Sequence, residues 1–472
     1  MFTDAIFREY DIRGVVGRDF DEEFSFVLGK AFGALLREGD RNLRRTSVGR
    51  DARLSSGTLA AALMQGIVST GICVYDIGLC PTPLQYFSLH HLNLDGGIMV
   101  TGSHNPPEYN GFKLSVGKET IFGNAIQSMK ERINEQSWHE ESPRGGIEQF
   151  DILSAYREFM QRRFSFLSDP RFRKLKVVVD AGNGTAGIIA PEILTAMGCD
   201  VIPLYCEPDG RFPNHHPDPT VPEYIKDLIR ITKEQHADIG VGYDGDADRI
   251  GVVDPDGNIV WGDQIIIMLS RDILRTHPNA IIIGDVKCSQ SMFDDIEKHG
   301  GRPIMWKTGH SLVKDKMKQE KAVLAGEFSG HIFIADDYFG FDDALYTTCR
   351  LVEIMKKSGY GIRELLADIP RTVYTPEIRI ECREDQKKSI VERLAILCKD
   401  YEISGKSPVP IKRIYDIDGA RIVFEKGWGL VRSSNTQPVI VMRFEAEDQE
   451  SLDVYRSFLE DALGAIQAEA GI

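Results

Sequence analysis

The sequence predicts an α/β protein of several domains that ends in an α+β unit, and three observations carry the prediction. A chain of 472 residues with 42% hydrophobic content is long enough to bury three or four separate cores. Across residues 1–369, short apolar runs such as Lys176-Val177-Val178-Val179-Asp180 and Ala280-Ile281-Ile282-Ile283 alternate with helical stretches and end in glycine-rich or acidic turns. Beyond Ile369-Pro370-Arg371 the pattern changes. Strands such as Thr372-Val373-Tyr374 and Ile378-Arg379-Ile380 precede a long amphipathic helix through Ile390, Leu394 and Leu397. The turn-rich segment Glu141-Ser142-Pro143-Arg144-Gly145-Gly146 reads as the first linker, and the expected units are 1–147, 148–254, 255–369 and 370–472.

Composition narrows the function. The formal charge is −15, from 71 acidic and 56 basic residues. Such a surface repels nucleic acid and anionic membrane, so neither is an expected partner, and a phosphate-bearing substrate has to be held by local basic groups and backbone amides. The eight cysteines show no Cys-x-x-Cys or zinc-like spacing and read as reduced, packed thiols. Met1-Phe2-Thr3-Asp4-Ala5 lacks a basic region before an apolar core, and no apolar run nears the length of a bilayer span. A cytoplasmic protein is expected.

In the first unit, Phe7-Arg8-Glu9-Tyr10-Asp11-Ile12-Arg13-Gly14 sets an aromatic ring and two guanidinium groups near the first strand. Arg13 could grip a phosphate with its planar fork, or simply pair with Asp11 or Glu9. Val48-Gly49-Arg50-Asp51-Ala52-Arg53 reads as scaffold leading to Ser55-Ser56, where a serine could cap the helix through Leu59, Ala62, Leu63 and Ile67. The run Gly97-Ile98-Met99-Val100 reads as a buried strand, and Thr101-Gly102-Ser103-His104-Asn105-Pro106 as the turn at its end. Gly102 permits unusual dihedrals, and Asn105-Pro106-Pro107 stops a helix from starting at once, so the Ser103 hydroxyl is expected to be held out. A polar turn without chemistry gives the same letters. Lys113, ten residues from Ser103, is a counter-charge to a phosphate or, if burial beside other cations lowers its pKa, a proton-transfer group.

The second unit holds two competing signals. Gly182-Asn183-Gly184-Thr185-Ala186-Gly187 after a strand fits G-x-G-x-x-G, with Glu207 at the distance of a ribose-binding acid, which would make a nucleotide-dependent oxidoreductase. Any tight strand-to-helix turn also gives these letters. Farther on, Asp244-Gly245-Asp246-Ala247-Asp248-Arg249 follows the strand-like Ala237-Asp238-Ile239-Gly240-Val241. Its three carboxylates could face one hard divalent cation. An EF-hand needs Gly at the sixth place and Glu at the twelfth, where this chain has Arg249 and Pro255, so Mg²⁺ is the better expectation than Ca²⁺. Arg249 can reach an anion bound to that metal.

In the third unit, Gly284-Asp285-Val286-Lys287 and Lys307-Thr308-Gly309-His310 follow successive strands, so Lys287 and His310 should meet at one sheet edge. In Gly326-Glu327-Phe328-Ser329-Gly330-His331, a carboxylate, a hydroxyl and an imidazole alternate, and an extended segment would turn them to one side. The last unit offers the hairpin-like Asp416-Ile417-Asp418-Gly419-Ala420-Arg421. It also offers Arg432-Ser433-Ser434-Asn435-Thr436, whose guanidinium, hydroxyls and loop amides suit a phosphate.

Four of these motifs, at 101–106, 244–249, 326–331 and 432–436, stand in one order. Through them the chain resembles the α-D-phosphohexomutases, most closely the phosphomannomutase/phosphoglucomutase branch, over essentially its whole length. The resemblance implies three similar mixed-sheet α/β domains and an α+β domain around a central cleft. It implies an isomerase that moves a phosphoryl group reversibly between positions 1 and 6 of a mannose or glucose phosphate, by way of phospho-Ser103 and a bisphosphorylated sugar. Ser103, Asp244, Asp246 and Asp248 would hold Mg²⁺, with glucose 1,6-bisphosphate or mannose 1,6-bisphosphate as activator.

On the same ground Tyr10 and Arg13 would line the cleft beside the phosphoserine, with His104 and Arg249 in the catalytic set and Lys113 and His331 moving protons. Lys287 and His310 would sit at the sugar phosphate, and Glu327 and Ser329 would hold the 3-OH and 4-OH. Arg432, Ser434, Asn435 and Thr436 would grip the phosphate at either end of the sugar. The fourth domain would close as a lid over a monomer's or a dimer's site. Phe328 stands where this branch more often has Met and glucosamine-specific relatives have Gln, which keeps a phosphoglucosamine mutase as the alternative. A non-catalytic sugar-phosphate sensor would have lost Ser103 or an aspartate, and this chain keeps all of them.

Overall fold

The computed structural model describes residues 2–38, 45–434 and 438–469. Four sheets follow one another along the chain. In the first, Gly96–Val100, Arg45–Arg50, Cys73–Leu79 and Ile147–Gln149 run parallel, while Tyr109–Val116 and Ile12–Val15 add antiparallel strands at the other edge. In the second, Asp200–Leu204, Lys176–Asp180 and Ile239–Tyr243 are parallel, and Ile250–Val253 and Ile259–Val260 turn back against them. In the third, Arg302–Trp306, Ile281–Asp285 and Leu324–Gly326 are parallel and Ile332–Ile334 is antiparallel. The inner parallel strands are buried on both faces, which is why they read as unbroken apolar runs.

One architectural rule repeats in these three sheets. The last parallel strand turns back into its antiparallel neighbour through a short loop, and that loop is residues 101–108, 244–249 or 327–331. Each loop therefore lies at a strand's carboxyl end, where open α/β sheets place ligands. The fourth sheet is wholly antiparallel, with Lys387–Ser404 and Gln449–Glu469 covering it, and its hairpin between Gly427–Ser433 and Val439–Ala446 carries the fourth motif.

Helix Ala344–Ser358 is the hidden spine. Asp343 caps it by accepting from Tyr346 N at 2.8 Å, and Gly359 ends it in the left-handed conformation at φ 77°. It is buried on nearly all sides, with Tyr346, Cys349, Val352 and Met355 in one core that runs from Ile77 through Val177 and Ile265 to Ile362 and so joins the first three domains. The fourth domain has its own core and meets the third through a small apolar contact of Val286, Trp428 and Leu430. Polar bonds and aromatic contacts complete that joint: Arg421 Nη1 donates to the carbonyls of Val286 and Cys288 at 2.7 and 2.6 Å, Arg443 donates to that of Lys287, and Tyr374 packs edge-on against Trp261. One expected detail differs. Ser55 does not cap the helix Ser56–Ser69; its hydroxyl accepts from Asn110 Nδ2 at 2.9 Å instead.

Candidate active site

The serine loop is held by a buried arginine that the sequence presents as scaffold. Arg53 Nη2 donates to the carbonyls of Ser103 and Asn105 at 2.7 and 2.6 Å, and Nη1 to that of Tyr109 at 2.9 Å. Asp51 completes the clamp, bonding Arg53 Nε and accepting from Thr101 Oγ1 and Gly102 N at 2.9 and 3.1 Å. Gly102 is obligatory here, because a Cβ would lie 2.5 Å from the Arg53 guanidinium. Ser103 itself sits at φ 49°, an unusual conformation for a residue with a side chain. Its hydroxyl is not held out to solvent as expected. The residue is only 2% exposed, because the acidic loop of the second domain covers it, and Gly245 permits the approach: a Cβ there would stand 2.5 Å from the Ser103 carbonyl.

Ser103 Oγ donates to Asp244 Oδ2 at 2.9 Å and lies 3.2 Å from His104 Nδ1. Asp244, Asp246 and Asp248 are fully buried, each offering an oxygen within 4.8 Å of the others. Burial, Asp248 and Asp246 together push the Asp244 carboxyl well above the usual carboxylate range. Asp246 Oδ1 is buried with no hydrogen-bond partner among the described residues. These oxygens and the serine hydroxyl form a hard donor set fit for a divalent cation.

Lys113 supplies the positive charge, donating to Asp246 Oδ2 at 2.7 Å and to Asp248. It stands across the sheet from Met99, which brings it beneath the serine loop. The sequence-based idea of a lysine with a lowered pKa is reversed. Burial alone would lower it, but Asp246 and Asp248 hold it well above its ordinary value. The two carboxylates that it touches outweigh the nearby cation Lys314.

The third domain closes the ring. His331 Nδ1 faces Glu327 Oε2 at 2.7 Å, its Nε2 faces Asp248 Oδ1 at 3.3 Å, and Arg249 Nε reaches the same Nε2 at 3.2 Å. Against burial, Asp248 and Glu327 raise the imidazole's pKa. His104 goes the other way, pushed well below its ordinary value by burial and by Arg249 and Arg13. The segment 327–331 is not extended: Gly330 N donates to Glu327 O at 3.0 Å in a turn with Gly330 at φ 89°. Glu327 therefore faces His331 and the Gly309 amide. Lys287 and His310 do follow adjacent parallel strands, Ile281–Asp285 and Arg302–Trp306, with His310 opening the next helix. Lys287 Nζ pairs with Glu377 of the fourth domain at 3.0 Å.

Tyr10 donates to Thr308 O at 3.0 Å, with its ring 5.8 Å from that of His310. Arg13 donates to Asn105 Oδ1 at 2.6 Å and pairs with Asp11, the ion pair that was one of its two sequence readings. Arg432 Nε donates to Asp418 Oδ2 at 2.9 Å, and the Ser434 carbonyl accepts from Lys387 at 2.5 Å. Asn435 and Thr436 lie outside the described residues. Phe328 is stacked 5.1 Å from Trp261, with the Arg443 guanidinium 3.6 Å from its ring centre. Sequence reasoning missed Arg53, Asp51 and Thr82, whose Oγ1 donates to Asp246 at 2.6 Å, and Asp218, whose charge stabilises that of Arg249. Only the Asp51-Ala52-Arg53 run carried a usable signal, a charge pair directly after a strand.

The glycine turn at 182–187 has another use than a dinucleotide. Thr185 N donates to Gly245 O at 3.1 Å, and a Cβ on Gly184 would lie 2.9 Å from Gly245 Cα, so the metal-type loop fills the space a pyrophosphate would need. The fold and the site together define an enzyme that sets a serine hydroxyl against a buried acidic cation site inside an interdomain cleft.

Models of all four phosphoglucomutase/phosphomannomutase domains match in order: alpha/beta/alpha domains I, II and III at residues 4–142, 154–257 and 261–373, and the C-terminal domain at 377–462. A phosphomannomutase/phosphoglucomutase of Pseudomonas aeruginosa is 45% identical over 465 residues, 98% of this chain and 96% of that one. A phosphoglucomutase of Neisseria gonorrhoeae is 39% identical over 96% of this chain and 95% of its own. The crystal structure of a phosphoglucomutase/phosphomannomutase family protein from Burkholderia thailandensis superposes with a TM-score of 0.88 at 39% identity, covering 99% of this chain and 98% of that one. The chain belongs to the phosphoglucomutase/phosphomannomutase family and is a hexose phosphate mutase. No helix among the described residues is long and apolar enough to cross a membrane.

Proposed function

We propose that the protein interconverts the 1- and 6-phosphates of mannose and of glucose, with Ser103 as the phosphoryl carrier. The observation that carries this is the Ser103 hydroxyl bonded to Asp244 at the rim of the three-aspartate cluster. The P. aeruginosa relative's double name supports the pair of sugars. Ser103, Asp244, Asp246 and Asp248 would hold Mg²⁺, which when bound supplies positive charge beside the transferring phosphoryl oxygens.

In the forward half, the bond between the phosphorus and Ser103 Oγ breaks while one to the sugar's free hydroxyl oxygen forms, and that hydroxyl's proton leaves to a neighbouring base. In the return half the serine oxygen takes the phosphoryl group from the other end. Lys113 and His331 are the groups proposed to carry these protons. Arg249 would face the phosphoryl group beside His331, and His104 and Arg13 would frame the serine loop. Tyr10, Lys287 and His310 would meet the substrate from the first and third domains, and Arg432, Ser434, Asn435 and Thr436 its distal phosphate. Ser329 and Glu327 would meet the 3-OH and 4-OH that glucose and mannose share, since each engaged Glu327 oxygen keeps a second lone pair.

The proposed units are 1–147, 148–254, 255–369 and 370–472, acting in the cytoplasm as a monomer or dimer. The bisphosphorylated sugar, glucose 1,6-bisphosphate or its mannose counterpart, would restore a dephosphorylated serine. The test pairs intact mass before and after glucose 1,6-bisphosphate with Mg²⁺ against turnover of mannose 1-phosphate and glucose 1-phosphate. One added phosphoryl group on Ser103, with both sugars converted and both activities lost in Ser103→Ala, is expected. Turnover of glucosamine phosphate alone would move the specificity, and no phosphorylation at all would overturn the carrier.

A further inference from the structure

Behind His310 lies a buried polar line that no step above uses. Asp342 is fully buried. Its Oδ1 accepts from Lys314 Nζ at 3.1 Å, and Lys314 also donates to Thr120 Oγ1 of the first domain at 2.9 Å, with its ammonium 4.2 Å from the centre of the Tyr86 ring. The other oxygen, Asp342 Oδ2, stands 3.7 Å from His310 Nδ1. Both of these atoms are buried and neither has a hydrogen-bond partner among the described residues. A buried carboxylate oxygen and a buried imidazole nitrogen that face each other, neither with another hydrogen-bond partner among the described residues, are complementary when the nitrogen carries a proton. His310 is also the first residue of the helix His310–Glu320, whose exposed amide dipoles disfavour a second proton on the ring. Burial, Lys314, His331 and Lys113 act in the same sense, holding the imidazole's pKa well below its ordinary value and the ring neutral.

We propose that Asp342 is a positioning residue that fixes neutral His310 with its proton on Nδ1, so that the bare Nε2 accepts a hydrogen bond from a substrate hydroxyl. His310 would then act on the sugar as an acceptor, not as a cation for its phosphate. Lys314 belongs to the device because it claims Oδ1 and leaves only Oδ2 for the ring. The proposal rests on the mutase reading for the identity of the substrate. Its first readout, taken on the free enzyme, does not depend on that reading.

That readout is ¹⁵N NMR of the histidine-labelled full chain, with the His310 signals assigned by their loss in His310→Gln. The wild-type protein is expected to show a protonated-type Nδ1 and a bare-type Nε2. In Asp342→Asn, the amide oxygen must serve Lys314, so the amide NH₂ faces Nδ1 and the proton is expected to move to Nε2. Asp342→Glu keeps both acceptors and is expected to keep the wild-type pattern. Inversion should lower kcat/KM by about 10- to 10²-fold, the scale of one buried hydrogen bond left unmade, mostly in kcat and with the melting temperature tracked alongside. A protonated Nε2 in the wild-type enzyme overturns the proposal whether or not any variant folds. So does an unchanged His310 pattern in a folded Asp342→Asn. An inverted pattern with unchanged kcat/KM overturns its role in the reaction. Absence of all mutase activity in the wild-type enzyme, with the Nδ1 proton in place, would instead sink the reading of the substrate.

Discussion

Replacing Arg53 by Met tests how the serine loop is held. Arg53 is buried against the loop, and its guanidinium supplies donors to the carbonyls of Ser103, Asn105 and Tyr109 and an ion pair to Asp51. Met fills most of the volume but provides no donor. The change leaves a buried carboxylate without its counter-charge, and removing one partner of a buried pair costs about 3–5 kcal/mol. For a domain of this size, that corresponds to a fall of roughly 10 °C in melting temperature. The assay is calorimetry of the full chain together with hydrogen exchange at residues 101–109. Loop amides should lose protection before the rest of the first sheet does. The double variant Arg53→Met with Asp51→Asn should recover part of the loss, because no charge is then stranded. A transition within roughly 2 °C of wild type, with loop protection intact, would refute the clamp.

Other expectations follow from the same geometry. Gly102→Ala should abolish turnover with a modest stability loss, because its Cβ would press on the Arg53 guanidinium at 2.5 Å and push Ser103 out of line; full activity would mean the loop tolerates the shift. Lys113→Met leaves three buried carboxylates without the ammonium that bridges two of them, so Mg²⁺ should raise its melting temperature more than it raises that of the wild type, and equal shifts would show that the lysine does not share the cation site. Glu377 carries a pH prediction. Lys287, working against burial, lowers its pKa from 4.5 to about 2, so the pair's contribution is present above pH 4.5 and is lost as pH falls towards 2. Hydrogen exchange at the joint between the third and fourth domains should increase over that window in the wild type and be already high, and flat with pH, in Glu377→Gln.

Much of this was legible in one dimension. The parallel strands announced themselves as unbroken apolar runs because both their faces are covered, and the motifs at their carboxyl ends could be placed without coordinates. The carboxylate trio was legible for the same reason: acids so closely spaced repel unless something neutralises them. What stayed hidden depends on which unit covers which. Ser103 reads as an exposed turn hydroxyl until the acidic loop of the second domain is laid over it. Lys113 reads as a lysine among cations until its neighbours prove to be carboxylates 133 and 135 residues away in the chain. The alternation of Glu327, Ser329 and His331 implied an extended segment, but a hairpin turn with Gly330 in the left-handed region overrides a period of two. Arg53 was passed over because its signal, a charge pair with Asp51 directly after a strand, says nothing of the backbone carbonyls to which it donates.

The contrast between the two kinds of joint in this molecule bears on how it can move. The first three domains are welded by a continuous apolar core, and sliding them would expose that surface to water with nothing to replace the lost contacts. The fourth is fastened mainly by guanidinium groups on carbonyls and by the Lys287–Glu377 pair, bonds that water can take over one at a time. Such a seam has less apolar surface to expose than the welded core, and Arg421 and Arg443 have fixed acceptors on its far side. On the proposed mechanism, a sugar with a phosphate at each end would turn end for end against this fourth-domain wall while the serine and the aspartates stay still.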